Sequence, residues 1–207
     1  MSEYYIFHKP RGCITARRDA RCKTVMDYFP EEKRDALFPV GRLDKDTEGL
    51  LLVTDDGELC YNLLSPKTCI EKTYCFYAVG ILTEEDKGRL ESGVTPFTDK
   101  TLITAPAKIT VDSVRRLREI KTLLSGKDIA LANRKGDTSV TVGKITITEG
   151  KKHQVKRMLL NAGCRVVYLK RLSMAGLFLD GELLPGEYRQ LTKSEICLLK
   201  SKTGAQN

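Results

Sequence analysis

Residues 41–57 read GRLDKDTEGLLLVTDDG, and the fold turns on how they are parsed. A polar turn holding Asp44, Asp46 and Glu48 runs into LLLV, an apolar run short enough and sharply enough bounded to be a buried strand and too brief for a helix. Directly after it, DDGELCYNLLSP starts a helix near Asp56 that sets Leu59, Leu63 and Leu64 on one side and stops at Ser65 and Pro66. Arg42 and Asp44 flank Leu43 just ahead of the strand, so a guanidinium and a carboxylate sit where a rigid element pins the backbone.

Two other readings compete for this turn. Residues 44–55, DKDTEGLLLVTD, place acids at the first, third and fifth positions, glycine at the sixth and aspartate last, as in a calcium-binding EF-hand loop. That loop needs a helix running into it, whereas Pro39 and Gly41 lie just upstream, and Leu52 fills the ninth position, where an oxygen ligand is usual. The plainer alternative is that Asp44, Asp46 and Thr47 do no more than cap a turn. Taken by themselves, the residues leave a catalytic carboxylate and a turn cap both open, with the cap ahead.

Outward from this stretch, residues 4–8 form a strand broken by Pro10 and Gly12, and Thr24 caps a short helix that runs through Tyr28 until Pro30 ends it. TYCFYAVG is an aromatic, β-prone strand, and Thr83 with its following acids predicts a helix over residues 84–92. AKITV and VTVGKITIT are strands by alternation. Between them VRRLREIKTLL has Val114, Leu117, Ile120 or Lys121, and Leu124 at helical spacing. EGKKHQVKRMLLNAG then gives a turn and a basic amphipathic helix closed by Gly163, followed by a strand at CRVVYL. Helices and strands alternate without a regular βαβ rhythm, so the expected class is α+β around a largely antiparallel sheet.

With 207 residues the chain is long enough for a proper core, and its net charge of +8 favours an acidic partner without identifying one. The seven cysteines form no CxxC pair and only His8 and His153 stand beside them, which speaks against a structural zinc site. An odd cysteine count, together with no apolar leader after Met1, points to a reducing cytoplasm with most thiols acting as small apolar fillers. No apolar run approaches the roughly 18 residues that a membrane-spanning helix needs.

Four motifs in order carry a resemblance: GRLDKDTEGLLLVTDDGELCYNLLSP, EKTY, EGKKHQVKRML and PGEYRQLT. Together they resemble the catalytic domain of the small-ribosomal-subunit pseudouridine synthase A family, over residues 5–198. The resemblance implies an α+β catalytic fold of two lobes sharing a mostly antiparallel mixed sheet, flanked by helices, with a cleft across the sheet. It implies isomerisation of one uridine in ribosomal RNA without a cofactor or metal. Asp44 is then the catalytic carboxylate, Tyr74 of EKTY stacks on the base, and Lys156 of HQVKRM is the basic partner of Asp44, with Arg157 its rival. Arg42 enters the space vacated by the extruded uridine, since enzymes that rework a base take it out of the stack. Lys9, Arg11, Arg17, Arg18, Lys151, Lys152 and Arg157 are candidates for the RNA approach. His153 is left aside, because a histidine at a helix entrance more often caps or packs.

The catalytic-type strand begins almost at Met1, where many relatives carry a small RNA-binding domain, so residues 1–200 are read as one catalytic domain without it. Residues 112–137 are read as an insertion forming a helical arm, and residues 201–207 as a disordered tail. The expected partner is ribosomal RNA or an assembling subunit, met in the cytoplasm by a monomer. A large-subunit rRNA synthase and a non-catalytic RNA-binding assembly module are the alternatives.

Overall fold

In the computed structural model, which describes residues 2–96 and 101–204, the elements run β1 (Tyr4–Lys9), α1 (Glu31–Arg34), β2 (Phe38–Pro39), β3 (Glu48–Thr54), α2 (Gly57–Leu64), β4 (Lys72–Val79), α3 (Glu84–Ser92), β5 (Lys108–Arg116), α4 (Lys127–Arg134), β6 (Ser139–Ile147), α5 (Gln154–Asn161), β7 (Arg165–Met174), β8 (Leu177–Phe178), β9 (Tyr188–Gln190) and α6 (Lys193–Thr203). Short 3-10 helices lie at Val25–Tyr28, Pro66–Thr68 and Leu117–Leu123. This is the expected α+β class; β1 with β3, β1 with β9 and β5 with β6 pair antiparallel, and β3 with β7 parallel. The chain forms two compact units, one of Met1–Lys72 with Lys170–Asn207 and one of Thr73–Leu169.

In the first unit β1 pairs antiparallel with β3 along its whole length, from Tyr4 opposite Thr54 to Lys9 opposite Gly49. β9 lies along the other edge of β1. β3 also takes β7 as a parallel neighbour, with Glu48 opposite Lys170 and Gly49 opposite Arg171. Apolar residues cover both sides of these strands. Ile6, Leu50 and Leu52 pack with Leu59 and Leu63 of α2, Met174 and Leu199, while Tyr5 and Phe7 meet the rings of Tyr28, Phe29 and Tyr188. Coverage on both faces explains why LLLV is a continuous apolar run, where a half-exposed strand would alternate. α2 starts where expected, because the Asp56 carboxylate accepts from the Leu59 N–H at 2.9 Å. Its Leu64 is 43% exposed and leaves the inward face to Leu59 and Leu63.

In the second unit β5 and β6 form a long antiparallel ladder from Lys108 opposite Thr146 to Arg116 opposite Ser139, with a bulge between Val111 and Ser113. β4 alternates, burying Tyr74, Phe76 and Ala78 and leaving Thr73, Cys75 and Tyr77 half-buried. α3 spans the predicted residues, capped by Thr83, whose hydroxyl accepts from the Asp86 N–H at 3.1 Å. A smaller core gathers Leu117, Ile120, Leu124, Ala132, Val140 and Val167, with Tyr77 and Val79 against it.

The region 112–137 departs from expectation. Residues 112–116 continue β5, because Val114, Arg115 and Arg116 find ladder partners in Thr141, Val140 and Ser139. A 3-10 helix and then α4 come after the strand. A spacing of three between Leu117 and Ile120 suits the three residues per turn of a 3-10 helix as well as it suits an α-helix, and both side chains are buried. The arm is therefore a lengthened hairpin topped by two short helices. α1 and α6 have no counterpart in the sequence reading, whereas α4 falls within the arm expected to be helical. α6 runs to Thr203, so residues 201–203 are helical where a disordered tail was expected; residues 205–207 lie outside the described residues.

Candidate active site

The turn that carries Asp44 is tied down from several directions. Val40 N–H donates to the Leu52 carbonyl at 2.8 Å, which folds the approach back along β3. Gly41 has φ +75, and a Cβ there would lie 2.8 Å from a methyl of Leu64, so both conformation and space favour glycine. Leu43 is buried, and the Thr15 hydroxyl bonds its backbone twice, donating to the carbonyl at 2.8 Å and accepting from the N–H at 3.1 Å. Thr47 N–H closes the turn on the Asp44 carbonyl at 3.1 Å. Gly12 N–H adds a bond to the Lys45 carbonyl at 2.7 Å. The result is a half-buried Asp44 on a braced backbone, with Arg42 and Asp46 exposed beside it.

Lys9 was expected on the RNA track, and its position contradicts that. It is fully buried, and its ammonium donates to the carbonyls of Pro10 at 3.0 Å, Thr47 at 2.9 Å and, more weakly, Lys45 at 3.5 Å. Phosphate cannot reach an amine with no exposed surface. Burial pushes Lys9 below the ordinary lysine range, opposed by Cys13 and the carboxylates of Asp46 and Asp44. Arg17 and Arg18 are also engaged within the protein, Arg17 with the Asp35 carbonyl and Arg18 with the Asp35 carboxylate. Arg11 is half-buried.

The calcium reading fails on the backbone, since the second half of the supposed loop is the strand Glu48–Thr54. Among the described residues no group of three or more His, Cys, Asp or Glu side chains is placed to hold a metal ion.

Tyr74, Lys156, Arg157, Lys151 and Lys152 belong to the second unit. Tyr74 is 8% exposed on the inward side of β4, which holds the ring but leaves little of it open. α5 begins after His153, whose φ of +55 lets the chain turn sharply into the helix. The entry is built from side chains: Gln154 accepts from the Lys151 N–H at 2.8 Å and donates to Glu149 at 2.6 Å, and Glu149 accepts from the Ala105 N–H at 2.9 Å. Lys156 and Arg157 both sit half-buried in the first turn of α5, so burial does not separate the two rivals. The Lys151 ammonium is bound to Glu149 at 2.8 Å and to the Ile103 carbonyl at 3.0 Å, while Lys152 is exposed.

Sequence reasoning missed the Thr15 clasp, the inward course of Lys9 and a second buried cation, Arg171, which is 2% exposed and donates through Nε to the Leu50 carbonyl at 2.7 Å. The available signal was a charged residue inside an otherwise apolar strand, in YYIFHK and in VVYLKRLSM.

Comparison with known proteins identifies this architecture. The family model for RNA pseudouridylate synthase matches residues 3–161. An uncharacterized RNA pseudouridine synthase of Bacillus subtilis, YtzG, is 46% identical over 95% of this chain and 72% of its own length. Ribosomal small subunit pseudouridine synthase A of Escherichia coli is 34% identical over 93% of the chain and 72% of its own, and ribosomal large subunit pseudouridine synthase B of Bacillus subtilis is 35% identical over 96% and 71%. A crystal structure of a pseudouridylate synthase superposes with a TM-score of 0.78 at 33% identity, covering 96% of this chain and 74% of that one. A half-buried aspartate on a braced turn thus stands within an α+β scaffold and a sequence that both match enzymes of one kind, and the chain belongs to the RNA pseudouridylate synthase family.

Proposed function

We propose that this pseudouridine synthase isomerises one uridine of small-subunit ribosomal RNA, with Asp44 as its catalytic carboxylate. The observation that carries the assignment is the bracing of the Asp44 turn by Thr15, Gly12 and Lys9, since a catalytic group must be held within a fraction of an ångström. The reaction breaks the bond between N1 of uracil and C1′ of ribose, turns the base, joins C5 to C1′ and moves one proton from C5 to N1. Substrate and product are isomers, so nothing is consumed. A carboxylate has two ways to help: it bonds to C1′ as the base departs, as in glycoside hydrolysis, or it takes the proton from C2′.

In this reading Lys156 supplies the cation that keeps Asp44 aimed, because a carboxylate in a site closed to water needs a charge-assisted partner. Tyr74 stacks on uracil and relays a proton at C5. Arg42 takes the place of the extruded base, and Arg11, Lys151, Lys152 and Arg157 hold phosphates that fix register. Lys9 drops out of this track because it is buried. The enzyme acts in the cytoplasm as a monomer. The small-subunit assignment rests on the EKTY, HQVKRM and PGEYRQLT motifs; the 35% identity to a large-subunit synthase supports the other subunit as the second reading.

Asp44→Asn tests the core of the proposal. The variant is expected to fold and to bind ribosomal RNA, yet to form no pseudouridine. Retained activity removes Asp44 from the chemistry.

A further inference from the structure

Two buried cations flank Gly49, just past the turn that Thr47 N–H closes on the Asp44 carbonyl. Lys9 lies opposite Gly49 on β1, and Arg171 lies opposite the same glycine on β7, so the three occupy one row across neighbouring strands. Residues paired across a sheet point to the same face, which puts the lysine and the arginine on one side with a side-chain-free position between them. The gap has a steric cause: a Cβ on Gly49 would lie 2.3 Å from the Arg171 carbonyl oxygen. Lys9 is 0% and Arg171 2% exposed, and neither makes an ion pair among the described residues. Arg171 Nη2 is buried without a hydrogen-bond partner.

Such an arrangement is costly. A buried charge loses its hydration, and an apolar residue of similar length fills the same space without that loss. Packing therefore does not account for two cations here, and neither does the need for donors alone, because one guanidinium nitrogen is left without an acceptor. A requirement for positive charge does. Lys9 donates to the Thr47 and Lys45 carbonyls of the turn, and the carboxylates that act on it are those of Asp46 and Asp44. Asp46 is exposed, where water screens it, and Asp44 is half-buried.

We propose that Lys9 and Arg171 form a buried cationic floor that fixes the Asp44 turn and offsets the carboxylate charge when bound RNA drives water away. Both are positioning residues that act through Asp44, so the inference rests on the assignment of Asp44 above. The groups facing Lys9 are the Cys13 thiol, the carboxylates of Asp44 and Asp46, and the carbonyls of Pro10, Lys45 and Thr47. Loss of its proton at alkaline pH removes both the charge and the hold on the turn. Because burial lowers Lys9, activity should fall on the alkaline side before the ordinary lysine range is reached.

The test measures pseudouridine formation on ribosomal RNA prepared from cells lacking the gene, with wild type, Lys9→Met, Arg171→Met, Arg171→Lys and the double Met variant. Each Met variant is expected to lose at least about tenfold in kcat, the scale of a misplaced reacting group, with KM for RNA within about threefold. Arg171→Lys should recover most of the loss, and the double variant should lose less than the product of the single losses, as residues serving one turn do. The alkaline fall of wild-type kcat should be absent from Lys9→Met. Met variants with wild-type kcat overturn the floor, and so does a KM that rises while kcat holds. If Lys9→Met does not fold, the wild-type pH profile decides, and a kcat flat through the lysine range overturns the floor. Asp44→Asn run alongside separates the two claims: an active Asp44→Asn sinks the assignment of Asp44, whereas an inactive Asp44→Asn with fully active Met variants sinks the floor alone.

Discussion

At the scale of single residues, charges in this protein follow their surroundings more than their position in a basic or acidic run. Lys9 and Lys151 were both expected to meet phosphate; Lys9 is closed inside a strand, whereas Lys151, bound to Glu149 and a carbonyl, keeps part of its side chain exposed. Near the C-terminal helix, Arg189 donates to Asp180 at 2.6 Å and to both oxygens of Glu195 at 2.9 Å. Glu195 in turn caps the start of α6 through the Thr192 N–H at 2.8 Å. The Arg189 hydrogen bonds hold Glu195 down, to about 2 from its ordinary 4.5. A carboxylate lowered on folding adds stability that is complete above its unfolded value and lost as the pH falls through its folded one. Wild type should therefore lose this contribution between pH 4.5 and about 2, and Glu195→Gln should lose it already at neutral pH. The expected cost at pH 7 is roughly 1–2 kcal/mol, reduced by the partial exposure of both partners. Denaturant melts at pH 7 and pH 3 check it: a variant less stable by the same amount at both values contradicts the linkage.

At the scale of elements, the β5–β6 hairpin and the helices on top of it occupy the stretch that the sequence reading took for an inserted arm. A small core that they share with Val167 of β7, with Leu117 and Val140 at 0% exposure, makes the arm an ordered structure. Lys121, Lys127, Arg134 and Lys135 are exposed on it and make no ion pair among the described residues, whereas Arg118 is held by Asp137 and Arg165 by Asp128. Cations left unpaired on an ordered arm suit phosphate binding, and we extend the proposed RNA track to them. Changing all four to alanine should leave the melting temperature unchanged, because none is buried or paired. The slope of log affinity against log salt should become shallower by about 0.7 for each phosphate that is no longer neutralised. An unchanged slope excludes the arm from the RNA surface. Cutting out residues 112–137 is a poorer test, since it removes Leu117, which has no exposed surface.

At the scale of the whole molecule, the family membership states the reaction, and the target is a question for the cell. Ribosomal RNA from cells with and without the gene, mapped for pseudouridine, should differ at one position in the small-subunit RNA. A change confined to large-subunit RNA moves the assignment to the second reading, and no change in either removes ribosomal RNA as the substrate. Among the described residues no helix is long and apolar enough to cross a membrane. The relatives extend beyond the aligned portion, since the chain spans 72% of YtzG and of the Escherichia coli small-subunit enzyme.

The sequence by itself determined the elements whose signals are local. Aromatic, β-prone composition located β4, period-two alternation located β6, the Thr83 capping box delimited α3, and Asp56 marked the start of α2. Its ordered motifs also led to the family, and within them to Asp44, which the residues taken alone left behind a turn cap. Tertiary structure decided whatever depended on partners distant in sequence. Residues 114–116 became strand because Val140 and Thr141 offered ladder positions. Lys9 turned inward because carbonyls of a turn more than thirty residues away accept its hydrogen bonds. Arg171 met Gly49 through a parallel pairing that no local pattern encodes, since parallel neighbours are joined by long connections. The place of Asp44 in its motif was legible in the chain; the buried Lys9 and Arg171 on either side of Gly49 became visible only once the strands were side by side.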